Sequence, residues 1–142
     1  MKKAFALAAT ATLLFTLTAC TAAPKEDIAG CDSAWNDYIS MLNYYPKAAI
    51  RDGSLTRSQA VTYLAALQVY SLKVTAAAKT VKSKDLRNSL NGLAASVSAM
   101  KDDFQQYPLN ADKQIIADFT ATQDAVDVIC KGIGWKTTNF GK

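Results

Sequence analysis

The chain contains no histidine, and that absence removes a large part of the hydrolytic repertoire. Neither a Ser-His nor a Cys-His pair can be assembled. Zinc-ligand spacing, Gly-rich phosphate loops, nucleophile elbows and calcium-loop patterns are also missing from the sequence. Neighbouring carboxylates do occur, as Asp102 with Asp103 and Asp124 with Asp127. They fall on the outer faces of expected helices, whereas acid–base work needs two groups held in a cleft with separated pKa values. Met41 and Met100 sit at expected core positions, which argues against a copper role. These absences together point to a protein that is not an enzyme and uses no cofactor or metal. Alternating strand patterns are missing as well, which leaves an all-α class. Nor is there an apolar run long enough for a confident membrane span, since ~20 strongly apolar residues are needed to cross the bilayer core.

What is present begins at the first residues. Met1, Lys2 and Lys3 form a positive opening, and Ala4 to Ala19 is uncharged and built mostly of Ala, Leu, Phe and Thr. That is the layout of a removable secretory signal. The segment ends Leu17-Thr18-Ala19-Cys20, which resembles the lipobox of bacterial lipoproteins. The resemblance covers this segment only, and it implies residues 1–19 as a lipoprotein signal peptide, diacylglyceryl transfer to the Cys20 thiol, and a mature chain that starts at Cys20 with two or three acyl chains. Two such chains, palmitate among them, give stable membrane anchoring where one does not. The implied location is the extracytoplasmic face of the cell membrane or the outer membrane. The alternative is that Cys20 is an ordinary thiol beside a conventional cleavage site.

Loss of Lys2 and Lys3 lowers Lys plus Arg from 16 to 14 against 12 acidic residues, so the net charge falls from +4 to +2. With no strong basic stripe and no reading motif, nucleic acid is excluded as a partner. Two cysteines remain, Cys31 and Cys130. Outside the cytoplasm an even remainder is expected to pair.

Residues 21–30, TAAPKEDIAG, lack apolar periodicity and read as a flexible tether, leaving 31–142 as the folded domain. Four helical stretches follow. The first runs from about Asp32 to Tyr45, with Ala34, Trp35, Tyr38, Met41, Leu42 and Tyr45 recurring at three and four residues, and Pro46 stops it. A turn of helix at Ala48 to Ile50 precedes the Asp52-Gly53 turn signal. Thr56 and Gln59 form a capping box for the second helix. Its apolar face is read as Leu64, Leu67, Val74, Ala78 and Val81, widened by Val61, Ala65, Val69 and Leu72. The third helix, capped by Ser83 and ended by Pro108, carries Leu86, Leu90, Leu93, Val97, Met100, Phe104 and Tyr107 at alternating four- and three-residue spacing, the seam of helices packed at about 20°. Asn110 is expected to cap the fourth, whose face runs Ile115, Ile116, Phe119, Val126, Ile129 and Ile133, with Gly132 as the residue beyond its end. In the tail, Trp135 and Phe140 are expected to cover the end of the bundle.

Short connections make this an antiparallel up-down-up-down four-helix bundle with one disulfide. The cysteines test the helix count. Cys31 opens the first helix and Cys130 closes the fourth, so an even number of helices brings them together. An odd number would separate them by ~35 Å, against the ~6 Å between Cα atoms that a disulfide permits. The end bearing the disulfide also gathers Lys79, Lys82, Lys84 and Arg87, expected to face the membrane. These cations either solvate a turn and complement helix C-termini or meet anionic headgroups. The other end gathers Tyr44, Tyr45 and Tyr107, which either finish the core with wet hydroxyls or form a partner-binding surface. The expected function is that of a membrane-anchored protein-binding, inhibitory or structural module of the cell envelope, with an envelope protein as partner. The alternative is a binder of a small ligand or metal ion in a cavity between helices.

Overall fold

The computed structural model describes residues 22–110 and 112–136. Residues 1–21, with the signal segment and Cys20, lie outside the described residues, as does Phe140. Five helices form: α1 Lys25–Leu42, α2 Lys47–Arg51, α3 Arg57–Thr80, α4 Lys84–Gln106 and α5 Lys113–Gly132. The short α2 lies within the connection between α1 and α3. The four long helices make an all-α antiparallel bundle in which α3 packs on α1 and α4, and α5 packs on α4 and, over a narrower contact, on α1. The start of α1 meets the end of α3, where Asp27 accepts from Lys82 N, and hydrogen bonds tie neighbouring helices together at mid-height. Tyr70 on α3 donates to the Ala34 carbonyl of α1 at 2.9 Å, Ser71 donates to the Ala94 carbonyl of α4, and Ser96 of α4 meets Thr122 of α5 at 2.7 Å.

Local chemistry explains most boundaries. Thr56 caps α3 through the full reciprocal box with Gln59, and Ser83 accepts from Leu86 N at the start of α4. Each satisfies amides that the first helical turn leaves free. The seam of α4 is buried at Leu86, Leu90, Leu93, Val97 and Phe104.

Five expectations are corrected. Lys25 to Gly30, read as tether, are the first turns of α1. Glu26 and Asp27 complement the helix dipole there, and Gly30 is pressed against Val81 and Leu90. A close approach of this kind leaves no periodic signature in the sequence. At its other end α1 stops at Leu42 rather than Tyr45, because Tyr44 and Tyr45 turn back with bonds to the carbonyls of Met41 and Leu42. On α3 the buried face is Tyr63, Leu67, Tyr70, Val74 and Ala78, while Val61, Val69 and Leu72 are 57 %, 51 % and 60 % exposed. The tyrosines take those positions inside the core, where each buries a large ring and the Tyr70 hydroxyl is satisfied by the Ala34 carbonyl. Asp112, not Asn110, caps α5 by accepting from Gln114 N at 2.7 Å, its own amide being held by Asp103. At the far end of α5 the residue beyond the helix is Gly134, at φ 82°, rather than Gly132. Gly134 N bonds to the Lys131 carbonyl and Trp135 N to that of Cys130. This is the Schellman pattern, whose left-handed position glycine occupies without a Cβ penalty.

Two expected results follow from the packing. A methyl group added at Gly30 would overlap Val81 Cγ1, on a stiff β-branched side chain that is itself buried. Overpacking costs about 1–3 kcal/mol, more than the roughly 1 kcal/mol that alanine gains over glycine in a helix. Gly30→Ala should therefore lower the melting temperature, and Gly30→Ala with Val81→Ala should show a favourable coupling between the two sites in a double-mutant cycle. The second result concerns pH. Burial pushes the phenols of Tyr63 and Tyr70 far above their ordinary value of 10, so above about pH 10 the unfolded chain releases protons that the folded one keeps. Stability is then complete below pH ~10 and falls as pH rises further. Alkaline denaturation followed by circular dichroism should show this loss, and Tyr70→Phe should make it shallower.

Candidate functional site

The two ends of the bundle carry different chemistry. At one end Cys31, in the second turn of α1, is joined to Cys130 on the last turn of α5, with Cα atoms 5.8 Å apart. Trp135, positioned by the Schellman turn with its amide on the Cys130 carbonyl, is buried at this end. Its indole stacks on Trp35 at 6.2 Å between centroids, and its Nε1 donates to Asp32 at 2.8 Å. Beneath the α3–α4 turn is Asp27, 2 % exposed. Its carboxylate accepts from Lys82 N at 2.6 Å and Ser83 N at 3.1 Å. Sequence reasoning missed this residue because it was assigned to the tether, and an isolated Asp gives no sign that it will cap a turn 55 positions away.

The side chains of Lys79, Lys82, Lys84 and Arg87 are exposed around that same turn. Arg87 reaches back to donate to the Val81 carbonyl at 2.7 Å, where a cation complements the C-terminus of α3. Lys131, also at this end, pairs with Asp127 one turn earlier on α5. The first helical residue, Lys25, starts α1 at this end.

At the opposite end α1 and α5 part, and a cleft of about 230 Å³ opens between them. Its walls include Tyr38, Tyr45, Tyr63, Phe104 and Phe119, with Ile50 of α2 at one side. The rings contact one another: Tyr45 to Tyr63 at 5.2 Å, Tyr63 to Phe104 edge-on at 4.9 Å, and Tyr38 to Phe119 at 5.8 Å. Burial raises the Tyr38 phenol above its ordinary value, so the lining is neutral across physiological pH. Such a surface recognises apolar groups and offers hydroxyls for orientation. The neighbouring tyrosines of the sequence reading separate here. Tyr45 lines this cleft, whereas Tyr44 lines a different recess between α1 and α3. Tyr107 closes α4 as its C-cap and is 57 % exposed. Tyr63, Phe104 and Phe119 complete the cleft; Phe104 and Phe119 had signalled only core seams in the sequence, and Tyr63 stood on no expected apolar face.

Among the described residues no three of His, Cys, Asp and Glu gather to hold a metal ion, and no helix is long and apolar enough to cross a membrane. Comparison with protein families, with curated proteins and with solved structures finds no match.

Proposed function

We propose that the protein is a lipid-anchored, extracytoplasmic, non-catalytic module of the cell envelope that binds another protein through the end of the bundle remote from the disulfide. The anchor rests on the lipobox-like Leu17-Thr18-Ala19-Cys20. With α1 starting at Lys25, five residue steps separate Cys20 from the helix, a reach of at most ~17 Å. That is shorter than the tether read from the sequence, and it keeps the basic end toward the membrane and the aromatic end outward. The observation that carries the reading is the aromatic cleft, whose wall residues Leu42, Tyr45 and Ile116 are exposed, with exposed Tyr107 and Leu109 on either side of its wall residue Pro108 in the chain. Aromatic side chains beside a pocket are the residues that dominate interface energetics.

The test has two arms. Palmitate labelling of the wild type should be lost in Cys20→Ala. A photoreactive amino acid at position 107 should give a discrete adduct in intact cells, and Tyr45→Ala, in the wall of the cleft, should weaken it by about thirtyfold in affinity, the loss expected of one hot-spot residue. An adduct pattern indifferent to that substitution would count against the reading.

A second reading is favoured by the same cleft: an aromatic or short acyl ligand of low molecular weight held among Tyr38, Tyr63, Phe104 and Phe119. Competition of indole-sized apolar compounds for the cleft, read by chemical shifts of the Phe104 and Phe119 rings, distinguishes it from a protein partner.

A further inference from the structure

The helix dipole accounts for some of the cations around the disulfide and not for others. Lys79 and Lys131 stand in the last turns of α3 and α5, where the dipole favours positive charge. Arg87 shares that role by donating to the Val81 carbonyl. Lys25 and Lys84, however, are the first residues of α1 and α4, where the dipole disfavours a cation. Lys82 lies in the turn between α3 and α4, and Lys136 follows α5. All these side chains are exposed. Among the described residues, Lys131 alone of them is ion-paired, with Asp127.

The carboxylates of this end offset the cations only in part. Asp27 is buried beneath the turn, Asp32 accepts from the Trp135 indole and Asp127 is engaged by Lys131, which leaves Glu26 and Asp85 exposed. Even with all of these acids counted, the cations outnumber them. The opposite end is balanced. There Arg51 pairs with Asp52 and Lys101 with Asp102, and Lys47, Arg57 and Lys113 are matched in number by Asp103, Asp112 and Asp118.

The amides of Lys82 and Ser83 are occupied by Asp27, so an anion meets lysine side chains here and not a backbone cradle. Such a surface responds to charge density rather than to the identity of a headgroup. Trp135 is buried against Trp35, and among the described residues this face has no exposed aromatic anchor of the kind protein interfaces use. An anchor on Cys20 would hold Lys25 within ~17 Å of the bilayer, about two screening lengths at physiological salt. Attraction then has only to overcome the freedom the tether leaves, because the encounter is already intramolecular.

We infer that the basic end docks on the anionic lipid headgroups of the membrane that holds the anchor, which sets the domain upright with the aromatic cleft outward. The inference rests on the lipid anchor proposed above and is independent of what the cleft binds.

The test uses the acylated full chain on vesicles of phosphatidylcholine alone or mixed with phosphatidylglycerol. The chain's two tryptophans stack on each other, with Trp135 at the basic end, and energy transfer from them to dansyl-labelled headgroups reports docking. Transfer should be higher on the anionic vesicles and fall to the neutral level near 1 M salt, where the screening length is ~3 Å. Each lysine lost should lower the docked-to-free ratio by about fivefold, so Lys79→Gln, Lys82→Gln and Lys84→Gln together lower it by about a hundredfold. Removing the same charge at the other end, with Lys47→Gln, Arg57→Gln and Lys113→Gln, should leave it unchanged. Phosphatidylserine at equal surface charge should replace phosphatidylglycerol without loss. Flotation with both kinds of vesicle but equal transfer on them would overturn the docking and leave the anchor standing. A chain that floats with neither overturns the anchor and the docking that depends on it. Equal effects of the two triple substitutions, or dependence on one headgroup alone, would also refute the inference.

Discussion

Replacing Cys31 and Cys130 together by alanine is expected to remove about 2–5 kcal/mol of stability. The bridge spans 99 residues, nearly the whole folded chain, and closing so long a loop restricts the unfolded state by up to ~4.7 kcal/mol on chain-entropy grounds. Against a total of ~5–15 kcal/mol for a domain, this is the largest single covalent contribution the fold can receive. It also acts where packing is thinnest. α1 and α5 share the narrowest of the long-helix contacts, and the bridge clasps them at one end while the aromatic cleft opens between them at the other. The double substitution should therefore lower the urea midpoint by roughly 1–3 M, given slopes of ~1–3 kcal/mol/M. Dithiothreitol acting on the wild type should reproduce the shift. Alanine is the right replacement because both sulfur positions are fully buried; serine would add an unsatisfied hydroxyl to the loss. Tryptophan emission should move to longer wavelength as the stack of Trp35 and Trp135 loosens. Coincident urea curves for the oxidised and reduced proteins would disprove this account.

How much of this was legible in the sequence depended on whether a residue's partner was local. The α3 capping box joins residues three apart, the α4 seam repeats within one helix, and both could be read directly. The disulfide is long-range, yet it too was legible, because two cysteines admit one pairing and the parity of the helices brings them to the same end. Where the partner is distant and not unique, reading failed. Gly30 stands in a stretch without apolar periodicity, and nothing nearby in sequence says that Val81 will press on it. Tyr70 outcompetes Val69 for the core by bonding to the Ala34 carbonyl, a preference that a hydrophobicity pattern ranks the other way. The aromatic cleft draws on α1, α2, α3, α4 and α5 at once. Its tyrosines were visible singly, but their grouping is a property of the fold, and so Tyr44 and Tyr45 were read together although they line different recesses.

Asp27→Ala is expected to be nearly as damaging as loss of the disulfide, at about 2–4 kcal/mol. The carboxylate sits under the turn that joins α3 to α4 and accepts from the amides of Lys82 and Ser83. Neither amide has a carbonyl to bond within a helix: Val81 has just ended α3, and Ser83 is the cap of α4. Hydrogen bonds to a charged acceptor contribute about 1.5–3 kcal/mol each, and removing the acceptor leaves the donors to bear their desolvation cost. Asp27→Asn keeps one oxygen able to accept both amides but without the charge, so its loss should be about half that of alanine. Glu26→Ala, on the adjacent exposed position, controls for the helix dipole and should cost no more than ~1 kcal/mol. Hydrogen exchange supplies the readout that general destabilisation cannot imitate. In the wild type the Lys82 and Ser83 amides should be protected, and in Asp27→Ala they should exchange rapidly even under conditions where the amides at the middle of α4 stay protected. If those two amides keep their protection, the buried carboxylate is not what holds the turn. The first turns of α1 would then be retained by the disulfide at Cys31 and by the packing of Gly30 against Val81 and Leu90.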